Sequence, residues 1–224
     1  MGQAIGDLLP SAIGVALSPV PIIAVILMLG TPRATSNGPA FAVGWVLGLV
    51  AVSTVVLLLT NGADSNDAGA SDALGWLELV FGVLFLLLAA QQWRGRPKPG
   101  TAAPMPTWMA AIDSFTAGKA LGLGALLSGL NPKNLALTVA AAATISQSGL
   151  SAGGDVVAVA VFVVIGSLTV AGPVVLYLLA KDRAARWLAS VKDFMAAHNA
   201  VIMMVVLLVL GAELLGNGIG TLSD

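Results

Sequence analysis

Long apolar runs separated by short polar segments dominate the chain, and this pattern predicts helices that cross a membrane. Three stretches contain no Asp, Glu, Lys or Arg and are each long enough to span a bilayer once: 8–32, 34–63 and 156–180. Three further runs contain few charges, with Glu78 near one end of the first and Lys133 inside the second. We therefore predict six helices, near 4–30, 36–60, 73–93, 119–146, 155–180 and 198–219.

Internal similarity divides the chain into two three-helix halves. Three pairs of segments resemble each other: 13–24 with 123–136, 44–48 with 162–166, and 82–88 with 211–216. Because three is odd, the second half must cross the membrane inverted, an arrangement typical of transporters. The prediction is an all-α polytopic membrane protein of six transmembrane helices, with helices 1 and 4 broken by proline. Its single membrane domain consists of a first repeat (1–93), a cytoplasmic linker (94–118) and a second, inverted repeat (119–224).

Basic residues separate to one side of this arrangement. Nine of the ten Lys and Arg residues fall on that side: Arg33, Arg94, Arg96, Lys98, Lys119, Lys181, Arg183, Arg186 and Lys192. The opposite side carries no basic residue but several acidic ones: Asp7, Asp64, Asp67, Asp72, Asp155 and Asp224. Since Lys and Arg accumulate in cytoplasmic loops, we predict that both termini lie outside.

Composition agrees with a membrane protein and excludes several functional classes. The chain is 58% hydrophobic and only 9% charged, against about 25% charged residues in a soluble domain. Its net charge of −1 excludes a basic nucleic-acid surface. With no cysteine and one histidine, we predict no metal site and no cofactor. No recognisable catalytic set is present, so we predict that the protein is not an enzyme.

The segment Asn131-Pro132-Lys133-Asn134 is the strongest candidate for a substrate-binding site. It lies about 20 Å into the fourth helix, at 1.5 Å per residue. Proline interrupts the helix, the two asparagines add polar groups, and an ammonium at this depth is costly unless it is solvated or paired. A helix N-terminus beginning here would favour anions. The alternative is a kink whose lysine reaches outward to the interface, which the depth disfavours.

Ser18, Pro19 and Pro21 form the counterpart in the first helix, with a hydroxyl and freed carbonyl groups but no charge. The alternative role for these residues is a simple kink. Glu78 and Glu213 lie toward the outer ends of their helices and are candidates for an ion or proton relay or for pairing with Lys133. The alternative is that both glutamates face water at the interface.

Two segments have the pattern of amphipathic helices on the cytoplasmic surface. One begins at Arg183 and Arg186 and has large side chains at helical spacing: Trp187, Val191, Phe194, Met195 and His198. The other contains Trp108, Ile112 and Phe115. These segments either anchor the bundle or gather lipid headgroups, and in the second case Arg183 and Arg186 contact the headgroups.

Two Gly-x-x-x-Gly spacings, Gly44/Gly48 and Gly118/Gly122, permit close contact between helices. Since the chain has 26 glycines, such spacings arise readily. We predict a packing role for both pairs and no other role.

The Asn131-Pro132-Lys133 motif, at the start of a second three-helix half, resembles the LysE superfamily of exporters. The longer segment 112–135, IDSFTAGKALGLGALLSGLNPKNL, resembles the GAP branch, the glycopeptidolipid- and sulfolipid-addressing proteins. This resemblance implies a multi-pass plasma-membrane protein that helps to move envelope lipids outward.

We predict an exporter that moves an envelope glycolipid or another anionic amphiphile across the plasma membrane. Lys133 offers one cationic group, and the surrounding helices offer mostly Leu, Val, Ala and Gly. Two alternatives stay open: a LysE-type exporter of small metabolites or amino acids, and a non-transporting accessory of a lipid-export machine. The expected partners are the bilayer and the lipid substrate. A homo-oligomer is compatible with the sequence.

Overall fold

Helices account for all regular structure in the part of the chain that is described. The computed structural model describes residues 1–61, 68–96 and 107–223. The elements are α1 (Gly2–Ala16), α2 (Pro19–Leu29), α3 (Ala34–Asn61), α4 (Ala68–Arg94), a 3-10 helix (Thr107–Ser114), α5 (Ala117–Gly129) and α6 (Pro132–Gln147). The last helical stretch, Ala152–Ser223, is broken at Lys181, where φ is 31° and ψ is −103°. It consists of α7 (Ala152–Lys181) and α8 (Arg183–Ser223).

Four helices are long and apolar enough to cross a membrane: Ala34–Thr60, Gly75–Arg94, Ala152–Lys181 and Arg183–Ser223. The pair α1 and α2, bent by 52° at its break, is a fifth candidate span. These helices confirm an all-helical, multi-pass membrane protein. The sixth crossing, which would consist of α5 and α6, stays a prediction.

Both helix breaks lie where the prolines predict them. The first helix ends at Ala16 and the next begins at Pro19, while α5 ends at Gly129 and α6 begins at Pro132. Proline is favoured at the first position of a helix, because its missing N–H would have no helical partner there. Each broken helix is therefore built from two shorter helices.

Glycine allows α3 and α5 to touch through their backbones. A Cβ atom built at Gly44 would collide with the carbonyl of Leu121, and one at Gly124 would lie 2.9 Å from the backbone nitrogen of Trp45. At Gly48 the Cβ atom would lie 2.8 Å from the carbonyl oxygen of Ala125. The predicted packing role is thus confirmed for Gly44 and Gly48.

The same prediction is wrong for Gly118 and Gly122. A Cβ atom at either residue meets no atom of the described chain within 4 Å. The glycine of α5 that makes the close contact is Gly124, which lies outside the predicted spacing. A spacing alone does not show which face of a helix meets a neighbour.

A second glycine-mediated contact joins α4 to α8. A Cβ atom at Gly218 would lie 2.8 Å from the carbonyl oxygen of Gly75, and one at Gly211 would lie 3.1 Å from that of Gly82. In both helices the two glycines are seven residues apart, so they lie on one face. The helix α4 packs mainly against the helical stretch Ala152–Ser223, to which α8 belongs.

The three pairs of segments that resemble each other in sequence are in contact. Ser18 hydrogen-bonds to Asn134. The indole Nε1 of Trp45 donates to the carbonyl of Gly166 at 3.3 Å, and Gly82 touches Gly211. The two predicted repeats therefore contact each other at all three pairs of similar segments.

The chain segments at one end of the bundle are joined by side-chain hydrogen bonds. The guanidinium of Arg33 and the amide of Asn37 both donate to the carbonyl of Phe115, at 3.2 and 2.9 Å. These bonds attach the residue after the 3-10 helix to the turn after α2 and to the first turn of α3. Of the charges that predict the topology, Asp64, Asp67, Lys98 and Asp224 lie outside the described residues.

The two amphipathic segments take different forms. Residues 183–198 are helical but continue without interruption into the rest of α8, with Trp187 and Phe194 exposed and Leu188 buried. The segment near Ile112 is a 3-10 helix, in which Ile112 is buried. The side chain of Trp108 lies outside the described part.

Candidate functional site

The two helix breaks meet inside the bundle, and Lys133 joins them. Its Nζ donates hydrogen bonds to the carbonyl oxygen of Gly14 and to the Oγ of Ser18, both at 2.6 Å. Gly14 lies in the last turn of α1, where carbonyl groups have no helical N–H partner. The ammonium of the second half therefore caps the broken helix of the first half.

Asn134 and Ser18 extend this contact into a buried network. The Oγ of Ser18 donates to the Oδ1 of Asn134 at 3.1 Å, and the Nδ2 of Asn134 donates to the carbonyl of Leu127 at 2.9 Å. Exposed fractions are 4% for Ser18, 6% for Lys133 and 0% for Asn134. The network links the start of α6 to α1 through Gly14, to the start of α2 through Ser18 and to α5 through Leu127.

The positive charge of Lys133 has no described counter-charge. Its two hydrogen-bond acceptors are neutral, and the ion pair found among the described residues joins Lys192 to Asp193 instead, at 3.2 Å. A lysine ammonium has three donors, so one remains for another acceptor. A buried cation with a spare donor and neutral neighbours is suited to an anionic ligand.

The start of α6 places this lysine at a helix N-terminus. Asn131 caps the helix, because its Oδ1 accepts a hydrogen bond from the backbone N–H of Lys133 at 3.1 Å. Pro132 occupies the first helical position and is exposed, while Pro19 and Pro21 are buried at the start of α2. The positive end of the α6 dipole adds to the attraction of the site for anions.

The two glutamates are separate from Lys133. Glu78 accepts a long hydrogen bond of 3.4 Å from the Oγ1 of Thr221, on the neighbouring helix α8. Glu213 is partly buried on α8. Since neither forms an ion pair with Lys133 in the described structure, their role as a relay stays a prediction.

Arg183 and Arg186 lie in the first turn of α8 and are exposed. Further along this helix, Leu188 and Lys192 line a cavity of about 240 Å³. Tyr177 from α7 and Asp113 from the 3-10 helix complete its polar lining. The two arginines are thus at the end of the bundle where other polar groups meet, which is compatible with contacts to headgroups.

A larger opening, of about 500 Å³, lies between α1 and α8. We call it the α1–α8 groove. Its lining is apolar and includes Gly6, Pro10 and Gly14 from α1 and Val205, Val209 and Leu210 from α8. Gly14 belongs both to the wall of this groove and to the hydrogen-bond network of Lys133.

A family model described as Sap, sulfolipid-1-addressing protein, matches residues 8–220. The chain belongs to this family. Membership in the sulfolipid-1-addressing protein family confirms the resemblance to the GAP branch, while the link to the wider LysE superfamily stays a prediction. No curated protein and no solved structure matches the chain.

Sequence patterns identify only part of this family member's polar network. Thr138 donates to the carbonyl of Asn134 at 2.8 Å, and Thr169 donates to that of Ala16 at 2.6 Å. The sequence could have indicated Thr138, because a threonine in a helix can donate to the carbonyl four residues earlier, here that of Asn134. Gly14 and Leu127 contribute only backbone carbonyls, which no side-chain pattern reveals.

Proposed function

We propose that this member of the sulfolipid-1-addressing protein family moves an anionic amphiphile across the plasma membrane, with the anionic headgroup bound at Lys133. The buried ammonium of Lys133, held by neutral groups alone, is the observation on which the proposal rests. The protein performs this transport without covalent chemistry on the lipid.

The energetic argument concerns an uncompensated charge. A lysine ammonium at membrane depth costs several kcal/mol, of the order of 3 kcal/mol on insertion scales. Hydrogen bonds to Gly14 and Ser18 reduce this cost, but they supply no negative charge. A sulfate, phosphate or carboxylate that reaches Lys133 would neutralise it, and attraction between charges is strong where water is scarce.

The proposed architecture has six crossings in two inverted repeats, with both termini outside. Contacts between all three pairs of similar segments support the repeats, and the paired breaks at Ser18–Pro19 and Asn131–Pro132 support a substrate site between them. In this arrangement α5 and α6 together make the sixth crossing. Arg183 and Arg186 face the cytoplasmic leaflet and attract anionic headgroups to the entrance.

A lipid substrate fits the site better than an amino acid. An amino acid carries an ammonium as well as a carboxylate, and no described acidic residue pairs with Lys133 to mark where that ammonium would bind. The apolar α1–α8 groove beside Gly14 suits hydrocarbon. The family description names a sulfolipid, whose sulfate is an anion of the required kind.

Reconstitution into liposomes tests the proposal directly. The purified protein should move a labelled sulfated glycolipid between leaflets, Lys133→Ala should abolish this movement, and Lys133→Arg should restore part of it. Lys119→Ala is the matched control, because Lys119 is exposed on α5 and removing it deletes the same charge. Normal transport by folded Lys133→Ala protein would overturn the proposal.

Deletion of the gene separates the lipid exporter from its alternatives. We expect a loss of anionic glycolipid from the cell surface and unchanged resistance to toxic amino-acid analogues. Unchanged surface lipid together with hypersensitivity to the analogues would instead identify an exporter of small metabolites. A third outcome is loss of surface lipid in the deletion strain together with no lipid movement by the purified protein in liposomes. This outcome would identify a non-transporting accessory.

A further inference from the structure

We infer that the α1–α8 groove holds one hydrocarbon chain of the same lipid whose anionic headgroup is bound at Lys133. This inference rests on the proposed function and adds to it a second subsite and a route of entry from within the bilayer.

On the α1 side, the groove is lined by a stripe of small residues beside a stripe of larger aliphatic ones. Gly6, Pro10 and Gly14 are spaced four residues apart and therefore lie on one side of the helix. A Cβ atom at Gly6 would meet nothing within 4 Å, so the space opposite it is open. At Gly14, by contrast, a Cβ atom would lie 2.7 Å from a methyl group of Leu210. The groove is therefore wide near Gly6 and closes where α1 and α8 touch at Gly14.

Its dimensions and lining suit a single hydrocarbon chain. Between Gly6 and Gly14 the groove follows α1 for about 12 Å, at 1.5 Å per residue. The volume of about 500 Å³ lies within the usual range for ligand pockets. Its lining side chains are aliphatic, so they offer no hydrogen-bond partner to a polar ligand.

The groove and the site of the headgroup share one residue, Gly14. Gly14 forms the inner wall of the groove, and the carbonyl of the same residue accepts the hydrogen bond from Lys133. An anion on Lys133 therefore lies next to the narrow end of an apolar channel. Only a molecule with a charged end joined to a hydrocarbon chain satisfies both surfaces at once.

The outer rim of the groove lies on the exposed surface of the helix bundle. Ile13 is 48% exposed, Val205 is 49% exposed and Val209 is 55% exposed, while Val206 and Leu210 are buried behind them. Since α8 is long and apolar enough to cross the bilayer, this exposed rim faces lipid. A chain can therefore enter sideways from a leaflet without passing through water.

A photoreactive lipid tests the occupant in the unaltered protein. The probe is a sulfated galactosylceramide with a diazirine in its acyl chain, added to the protein in phosphatidylcholine nanodiscs. We expect crosslinks to α1 and α8 residues of the groove, suppressed by excess unlabelled sulfated galactosylceramide and not by uncharged galactosylceramide. Equal crosslinking by a diazirine phosphatidylcholine would show ordinary boundary lipid and overturn the inference, as would crosslinks only elsewhere.

Filling the groove gives an independent test with matched controls. Val209→Trp places a large side chain in the groove. The control is Leu208→Trp, which adds the same ring at the preceding residue, where the side chain is 50% exposed and does not line the groove. We expect Val209→Trp to weaken binding of the sulfated lipid at least tenfold and Leu208→Trp to change it less than twofold. Gly6→Leu and Gly216→Leu form a second pair, since a Cβ atom at either glycine meets open space.

The results distinguish this inference from the proposed function. If the groove variants bind the lipid normally while Lys133→Ala loses it, the headgroup site stands and the groove inference is wrong. If the unaltered protein binds no sulfated lipid, or Lys133→Ala binds it normally, the proposed function itself fails. A disulfide between two copies of a Val205→Cys variant would show that a second protein molecule fills the groove, because the natural chain contains no cysteine.

Discussion

At the scale of single residues, Lys133 combines a structural contact with an unsatisfied charge. Its bonds to Gly14 and Ser18 tie the two halves together, so its removal affects folding as well as binding. Its charge, however, is balanced by nothing in the described structure. A change that adds a counter-charge while leaving the lysine in place separates these two roles.

Asn134→Asp provides that change. Asn134 accepts from Ser18, which in turn accepts from Lys133, so an aspartate would place a carboxylate one hydroxyl away from the ammonium. We expect at least tenfold weaker binding of an anionic lipid, equivalent to about 1.4 kcal/mol. Binding is measured in nanodiscs with the labelled sulfated glycolipid.

Asn134→Leu is the control for this variant, because it adds no charge. It removes both side-chain hydrogen bonds, whereas Asn134→Asp keeps the acceptor for Ser18 and loses only the bond to Leu127. It should weaken binding less than Asn134→Asp does, although it leaves polar partners unsatisfied. Equal losses in the two variants would show that the hydrogen bonds matter and the charge balance does not.

The sequence indicated several residues that the structure brings into contact, while their role in binding a substrate stays a prediction. The depth of Lys133 and the paired proline breaks indicated Ser18, Asn131, Lys133 and Asn134, and the structure brings these residues together. Two of the partners that were missed, Gly14 and Leu127, act through backbone carbonyls, whose availability depends on where a helix ends in three dimensions. The pairing of Lys133 with Gly14 is of this kind.

At the scale of secondary-structure elements, the contact between α3 and α5 depends on glycine at defined positions. Gly124→Val should destabilise the protein by about 1–3 kcal/mol, the usual cost of overpacking, because its side chain meets the backbone of Phe41 and Trp45. Thermal unfolding in detergent measures the change. Gly122→Val, two residues earlier on the same helix, meets open space and should unfold close to the temperature of the unaltered protein.

The junction between α7 and α8 is conformationally strained. Lys181 has a φ of 31°, in the region that favours glycine. Such a conformation costs about 1–3 kcal/mol for other residues, so Lys181→Gly should raise the unfolding temperature. Lys181→Ala removes the same charge and keeps the strain, and it should show no such increase. Equal unfolding temperatures for the two variants would contradict this explanation.

Helix positions were predictable to within a few residues, because apolar runs and prolines mark them directly. The length of α8, by contrast, was not predictable from the sequence. The sequence indicated a separate amphipathic segment before the last crossing, whereas residues 183–198 continue into one helix of 41 residues. Nothing in the local pattern stops that helix, since neither proline nor a strong cap follows Arg183 before the membrane span.

At the scale of the whole molecule, the distribution of charge predicts the orientation. Reporter fusions after residues 62, 99, 151 and 190 should give outside, inside, outside and inside, because basic residues accumulate in cytoplasmic loops. Alkaline phosphatase and green fluorescent protein are suitable complementary reporters. An inside result after residue 62 would contradict the six-helix topology.

How the two halves contact each other could not be predicted from the sequence. The first half contributes α3 and α4, and each packs mainly against a helix of the second half, α3 on α5 and α4 on α8. Apolar helix faces are similar in composition, so hydropathy does not specify partners. Only the geometry of the glycine contacts shows which faces meet.

The partnership of α4 with α8 has a consequence for how the protein is made. A ribosome synthesises α4 long before α8. The face of α4 with Gly75 and Gly82 is therefore without its partner in the membrane until α8 has been inserted. During this interval the nascent chain depends on insertion factors or lipid to cover that face. Truncation before α8 should therefore yield a product that membrane proteases recognise and degrade, even though every helix of the first half has already been inserted.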